Sequence, residues 1–412
     1  MTIPQDWSVT TLEKEAELIM GQSPPSEVIN ADGQGLPFLQ GNAEFGPAYP
    51  RAQYWCTQPA KQAEKGDILI SVRAPVGALN KADQDYCIGR GLAAVRFKNT
   101  QPDFGWYALQ HEVNQLQRVS QGSTFEAVNR EELGKLTFLR PSESEQRKIA
   151  IILSSVDETI EQTQALIAQI GRAKQALLDS ITLRGLPGRH LKFREIKEIG
   201  PVAEGWEMVR LKDIAERITS GSRGWAEYYS DEGDIFLRIT NLTRKSVNPD
   251  LSDIQRVSPP PSAEGTRTKV QAGDVLISIT ADLGVIGCIP SGFPDAYINQ
   301  HIALVRLTPN TALPYWVASY LVSPTGQSQF RRLNDPGAKA GLNLESIRQL
   351  IVPLPPTEEQ QSISTLLASF DVALASEVEG LKQMQTVKKG LMQALLRGKK
   401  RVVLPLIEAA SA

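Results

Sequence analysis

The sequence predicts a mixed α/β (α+β) protein: two pseudo-repeated domains, each followed by a long helix, the helices pairing as an antiparallel coiled coil. Three observations predict it. The second half of the chain restates the first, short apolar runs follow Gly-Asp turns in both halves, and each half ends in a sustained heptad.

The repeat orders everything else. Gly66-Asp67-Ile68-Leu69-Ile70-Ser71 returns as Gly273-Asp274-Val275-Leu276-Ile277-Ser278, and Ile88 to Arg96 returns as Ile298 to Arg306. Trp7 and Leu12 match Trp206 and Leu211, and Trp106 matches Trp316. Asn129, Leu133, Leu136, Pro141, Glu145, Gln146, Ile149 and Asp157 recur 214 residues later as Asn343, Ile347, Leu350, Pro355, Glu359, Gln360, Ile363 and Asp371. The offset drifts from 199 to 214, so the loops differ in length while the frame persists.

The runs DILISV and DVLISI are apolar, β-branched and introduced by turns, which reads as buried strands. The segment from Ile298 to Arg306 reads as a strand too, with His301 a buried, satisfied imidazole. Loops from Gly21 to Gly46 and Thr243 to Gly265 are rich in Pro, Gly, Ser and Asn and diverge between halves. A constant frame with divergent loops is the pattern of two like sites that read different things.

After Pro141 the period changes. Ser142 with Glu145, and Thr357 with Gln360, have capping-box spacing. Ile149, Val156, Thr163, Ile170 and Leu177 form one heptad position, and Leu153, Ile160, Ile167, Lys174 and Ile181 the other. The second copy gives Ile363, Phe370, Glu377, Met384 and Leu391 against Leu367, Leu374, Leu381, Lys388 and Leu395. Gly185 and Gly398 stand at the stops. Each helix would be roughly 60 Å long. The polar core residues set an expected register in which paired numbers sum to 551, so that Lys174 meets Glu377 and Thr163 meets Lys388. The domain reading is 1–141, first domain; 142–184, first helix; 185–355, linker and second domain; 356–398, second helix; 399–412, tail.

At 412 residues and 41% hydrophobic content, both halves can bury a core. Without an apolar run of about 18 residues or an apolar leader, a cytoplasmic protein with no membrane contact is expected. Cys56, Cys87 and Cys288 have no paired spacing, which argues against a disulfide framework or zinc site. A net charge of −2 demands either local basic patches or a basic partner if the chain holds DNA.

Catalytic groups are missing at recognisable spacing. His111, His190 and His301 lack nucleophile or metal-ligand neighbours, and there is no Walker-type motif. Gly89-Arg90-Gly91 and Gly284 to Gly287 read as turns, and Asp67 and Asp274 as turn aspartates. No catalytic residue and no metal site is expected.

The arrangement resembles the specificity subunits of type I restriction-modification systems along essentially the whole chain. The most telling pieces are Phe138 to Ile149 (FLRPSESEQRKI) and Val352 to Gln360 (VPLPPTEEQ), which look like the family's P-L-P-P-x-x-E-Q helix entry. The first copy departs from it at Arg140 and Ser142. Gly41-Asn42 and the two GD(I/V)LIS runs resemble the family as well. The resemblance implies two target-recognition domains that each read half of a bipartite, asymmetric double-stranded DNA site, with spacer helices setting the gap. It implies a non-catalytic subunit, two modification (methyltransferase) subunits that methylate adenine, and restriction subunits that can join them. S-adenosylmethionine, ATP and Mg are then expected on those partners and no cofactor in this chain.

Residue types suited to base and phosphate contact mark the expected interface. In the first domain they are Arg51, Arg73, Lys81, Arg90, Ser123 and Thr124. In the second they are Ser222, Arg223, Arg238, Asn241, Arg244, Lys245 and Lys339. A protein-interaction scaffold with two β-rich modules stays open as the alternative, discriminated by where the Arg and Lys gather. A fused methyltransferase is remote for want of its motif, and a solitary specificity subunit for another enzyme type is closer.

Overall fold

The computed structural model describes residues 3–113, 116, 127–197, 199–221, 223–259, 263–333 and 341–402. The chain forms two compact units, Met1–Gln164 with Gly380–Ala412, and Ala165–Glu379. This division differs from the expected linear one, because it cuts both long helices. Each unit holds one domain, the near part of one helix and the far part of the other.

In the first unit, strand Ser8–Thr11 pairs antiparallel with Thr137–Arg140. An antiparallel sheet follows in the order Ala16–Met20, Leu92–Phe97, Ile68–Ser71, Leu79–Lys81. A mixed sheet runs Ile29–Asn30, Tyr54–Cys56, Leu36–Leu39, Tyr86–Ile88, Gln62–Ala63, with Leu36–Leu39 parallel to Tyr86–Ile88. The second unit repeats the plan. Glu207–Arg210 pairs with Ile351–Leu354, and Ala215–Ser220, Ile302–Leu307, Val275–Ser278 and Ile286–Cys288 form the antiparallel sheet. Asp234–Leu237 runs parallel to Ala296–Ile298 in its mixed sheet.

The apolar runs are continuous because their strands are covered on both faces. Ile68 and Ile70 face a core with Phe104 and Tyr107, while Leu69 faces Leu39 and Ile88 under the mixed sheet. Val275 and Ile277 divide from Leu276 in the same way. Period-two alternation therefore exists in direction but not in polarity. Each such side chain contributes about 1.5–3 kcal/mol by burial. The turn aspartates do more than shape turns. Asp67 accepts from the Glu64 amide at 2.8 Å and from Arg96 Nε and Nη2, each at 2.9 Å. Asp274 accepts from the Gln271 amide at 2.7 Å and binds Arg306 at 2.8 and 2.7 Å.

The long helices are Glu143–Arg184 and Thr357–Leu396. Capping is only half as expected. Ser142 Oγ accepts from the Glu145 amide at 3.4 Å, but the Glu145 carboxylate turns to Trp7 and Arg401 instead of closing the box. Thr357 lies inside its helix, and Gln360 donates to the Pro355 carbonyl and accepts from the Leu313 amide.

The helices pack antiparallel within each unit. Ile149 and Leu153 share a core with Leu395 and Leu396, and Leu178 and Ile181 share one with Ile363 and Leu367. The register corrects the expected one. Lys174 Nζ lies 2.5 Å from Asp371 Oδ1, and Lys388 Nζ lies 2.5 Å from Asp157 Oδ1, so paired numbers sum to 545 and not 551. Glu377 is not the partner of Lys174. Thr163 is not the partner of Lys388, and its hydroxyl donates to the Thr159 carbonyl at 2.9 Å. The physical reason is a third body at the seam. Tyr107 on helix Pro102–Glu112 and Tyr315 on helix Pro314–Val322 donate to Asp157 and Asp371. That cover buries Asp371 and partly shields Asp157, each one position beyond the heptad core, where the lysines find them. Burial, and then the aspartate partner, pushes both tyrosine hydroxyls far above their ordinary titration range.

The tail is likewise not free at its start. Arg401 binds Asp6 and Glu145, and its guanidinium sits 5.6 Å from the Trp7 ring centre. The counterpart of Glu145 in the second unit, Glu359, meets His190 at 2.9 Å, and His190 lies edge-on to Trp206. The segment after each long helix thus folds onto the carboxylate that opens the other helix.

Candidate nucleic-acid interface

One correction to the strand reading locates the site. Ile88 to Arg96 and Ile298 to Arg306 are not single strands. Tyr86–Ile88 belongs to the mixed sheet and Leu92–Phe97 to the antiparallel one, and Ala296–Ile298 and Ile302–Leu307 divide identically. Between them the chain turns, with Leu92 N on Gly89 O at 3.0 Å and Ile302 N on Asn299 O at 3.2 Å.

Two further segments meet each turn. Val72 N donates to Gly91 O, and Ile279 N to His301 O, both at 2.9 Å. The strand preceding Gly21, and that preceding Gly221, end against the same turn. A Cβ on Gly21 would stand 2.1 Å from Gly89 O, and one on Gly221 2.2 Å from Asn299 C. Only glycine allows that approach.

In the first unit this corner carries Arg73 and Arg90, both exposed. Ser23 Oγ accepts from the Arg90 amide at 3.4 Å and is joined to the Gln40 side chain at 3.0 Å. In the second unit it carries Thr280, Gln300 and His301 around an open cavity of about 590 Å³ that Arg223 also lines. His301 is half-buried, not buried as expected, because it sits in the turn and not in the strand. Arg267 steadies the edge by donating to Thr219 Oγ and the Ser220 carbonyl, both at 2.6 Å.

The other expected contacts scatter. Arg51 is exposed beside the turn at Gly46. Lys81 pairs with Ile68 at the opposite end of its strand neighbour from Arg73, 3.8 Å from Asp103 and over the Trp106 ring. Arg238 is tied to Asp253 at 2.8 Å, and Arg244 to Asp282 and Gln327. Lys245 is exposed. Asn241 departs from the expectation: it is 1% exposed, and its amide donates to Asp250 O and Asp253 O while its oxygen accepts from the Arg238 amide. It builds a loop and has no group left to read a base. Ser123, Thr124, Ser222 and Lys339 lie outside the described residues.

Thr280, Gln300 and His301 were not among the expected contacts. The signal was present in the repeat, which aligns Arg73 with Thr280 and Arg90 with Gln300. Among the described residues, no group of three or more His, Cys, Asp or Glu could hold a metal ion, and no helix is long and apolar enough to cross a membrane.

The fold and its two corners define a duplicated mixed α/β protein with one frame and two sets of polar side chains. A family model described as the type I restriction modification DNA specificity domain matches residues 4–172 and 203–384. The chain belongs to that family and carries its domain twice. It is similar to the putative type I restriction enzyme MjaX specificity subunit of Methanocaldococcus jannaschii, 40% identical over 181 residues. That match spans 43% of each chain, so it covers less than half of the relative's length. It is similar to the EcoBI specificity subunit of Escherichia coli at 20% identity, over 97% of this chain and 87% of the other. Among solved structures, the type I restriction-modification S subunit from M. genitalium aligns with a TM-score of 0.58 at 15% identity, covering 96% of this chain and 98% of that one. A chain from a structural study of complex assembly and conformational transition of a type I R-M system aligns at 0.59 and 17% identity, covering 97% and 100%. At these identities the likeness is one of fold.

Proposed function

We propose that the chain is the DNA sequence-recognition subunit of a type I restriction-modification complex. Each domain reads one half of a bipartite, asymmetric double-stranded site, and the paired helices set the gap. The chain itself is non-catalytic and works in the cytoplasm. Adenine methylation and restriction fall to partners, which carry S-adenosylmethionine, ATP and Mg.

The observation that carries this reading is the repeated corner: Gly21 and Gly221 hold the same backbone, yet Arg73 and Arg90 in one unit give way to Thr280 and Gln300 in the other. Two readers of different sequences on one frame require this combination. The Lys174–Asp371 and Lys388–Asp157 pairs key the helices in one register, as a fixed gap demands. Two like units suit two modification subunits, with restriction subunits beyond them. The net charge of −2 fits a chain whose partners supply much of the phosphate neutralisation.

The test is long-read mapping of methylated adenines in cells that express the chain with its genomic neighbours, against a deletion of the chain. The expected result is a bipartite motif that disappears on deletion. A motif that persists without the chain overturns the reading.

A further inference from the structure

The corner described above supports an assignment at the level of single side chains, which rests on the DNA-recognition reading. We infer that the turn residue at this corner, Arg90 in the first domain and Gln300 in the second, is a base-reading position, and that Gln300 selects an adenine.

His301 Nδ1 lies 2.7 Å from Thr280 Oγ, and His301 Nε2 lies 3.0 Å from Gln300 Nε2. The Gln300 amide has no acceptor lone pair on nitrogen, so it donates into Nε2. The other ring nitrogen, Nδ1, faces the Thr280 hydroxyl. This chain fixes the amide's orientation and uses one of its N–H groups. The second N–H and the carbonyl oxygen have no partner among the described residues, and the side chain is half exposed at the cavity. One donor beside one acceptor in the amide plane is the complement of adenine in the major groove, where N7 accepts and N6 donates. Arg223 on the cavity rim supplies a cation for the adjoining phosphate.

The first domain holds the same backbone and different chemistry. Arg90 follows Gly89 as Gln300 follows Asn299, and its amide is held by Ser23. Its exposed guanidinium, with that of Arg73 beside the same turn, presents donors only, the complement of the guanine N7 and O6 acceptors. Glycine at positions 21 and 221 keeps the frame constant, so the side chain at the turn changes the base read without moving the backbone.

The experiment uses the complex of this chain with its modification subunits. The wild-type motif is mapped first. Methylation rates are then measured on duplexes changed one base pair at a time. Gln300→Ala is expected to lower discrimination at one adenine of one half-site by about 5- to 150-fold, and Arg90→Ala to do so at one base pair of the other half-site. All other positions keep their selectivity. Unchanged discrimination in both variants overturns the assignment while the recognition reading stands. A rate loss spread evenly over all positions overturns it as well, since a phosphate contact gives that result. If one variant fails to assemble, the other decides by the same criterion. A wild-type complex with no bipartite motif overturns both the assignment and the reading beneath it.

Discussion

Lys174 Nζ sits 2.5 Å from Asp371 Oδ1, and the same pair recurs in the other unit, each residue moved by 214, as Lys388 and Asp157. In both places a tyrosine from the neighbouring domain helix completes the group. The repeat thus copies a polar key along with the fold, and each key ties a domain to both helices.

The Lys174 and Asp371 side chains are 16% and 7% exposed, so removing one strands the other. Asp371→Ala is expected to lower the stability of its unit by about 2–4 kcal/mol. Urea unfolding measures this, and the Lys174→Leu, Asp371→Leu pair combined with Tyr315→Phe, which removes the hydroxyl that would lose its acceptor, should recover most of the loss. A single variant within about 0.5 kcal/mol of wild type would show that the pair does not set the register.

Acid should loosen the first unit as the pH falls below 4.5. Burial alone would raise the Glu145 carboxyl, but the Arg401 and Trp7 hydrogen bonds hold it below its ordinary value of 4.5. A folded pKa lowered in this way gives stability that is complete above the unfolded value and lost as pH falls through the folded one. Glu145→Gln should therefore flatten the acid limb of the stability curve below pH 4.5 and leave its slope at neutral pH unchanged. Parallel acid limbs would contradict the arrangement.

All three cysteines are free and buried. Burial pushes the Cys87 and Cys288 thiols up to about 12, with the neighbouring Cys56 adding to the shift at Cys87. A thiol reagent at pH 8 should label none of the three in the folded chain and all three in denaturant. Rapid labelling of the native protein would contradict the packing.

Gly21→Ala would place a methyl 2.1 Å from a backbone oxygen, and the turn must move. The expected cost is about 1–3 kcal/mol in stability, read as a lowered Tm, with recognition of one half-site lost and the other retained. Ordinary recognition of both halves by this variant would remove the corner from the interface.

The repeat made the fold legible, because it gave the frame twice and let loops be separated from strands. The heptads gave the helix faces, and burial along Ile149, Leu153, Ile181, Ile363 and Leu367 follows them. The register was not legible. Periodicity says which side of a helix is covered and nothing about what covers it. Asp157 and Asp371 are covered by Tyr107 and Tyr315, far away in sequence. The break at Gly89 and Asn299 was hidden for a similar reason: an apolar run through both sheets looks the same as one long strand. Of the expected contacts, Arg73, Arg90 and Arg223 come to the two corners, whereas Asn241 is absorbed by its own loop.

Paired helices that set the gap between two separately read half-sites must lengthen that gap when they are lengthened together. The most direct test inserts one heptad after Ile167 and one after Glu377, opposite each other in the register that sums to 545. Methylated motifs are then mapped in cells. Seven residues add about 10 Å, or about three base pairs. The expected result is both half-sites unchanged and the gap longer by that amount. An unchanged gap, or altered half-sites, would contradict it.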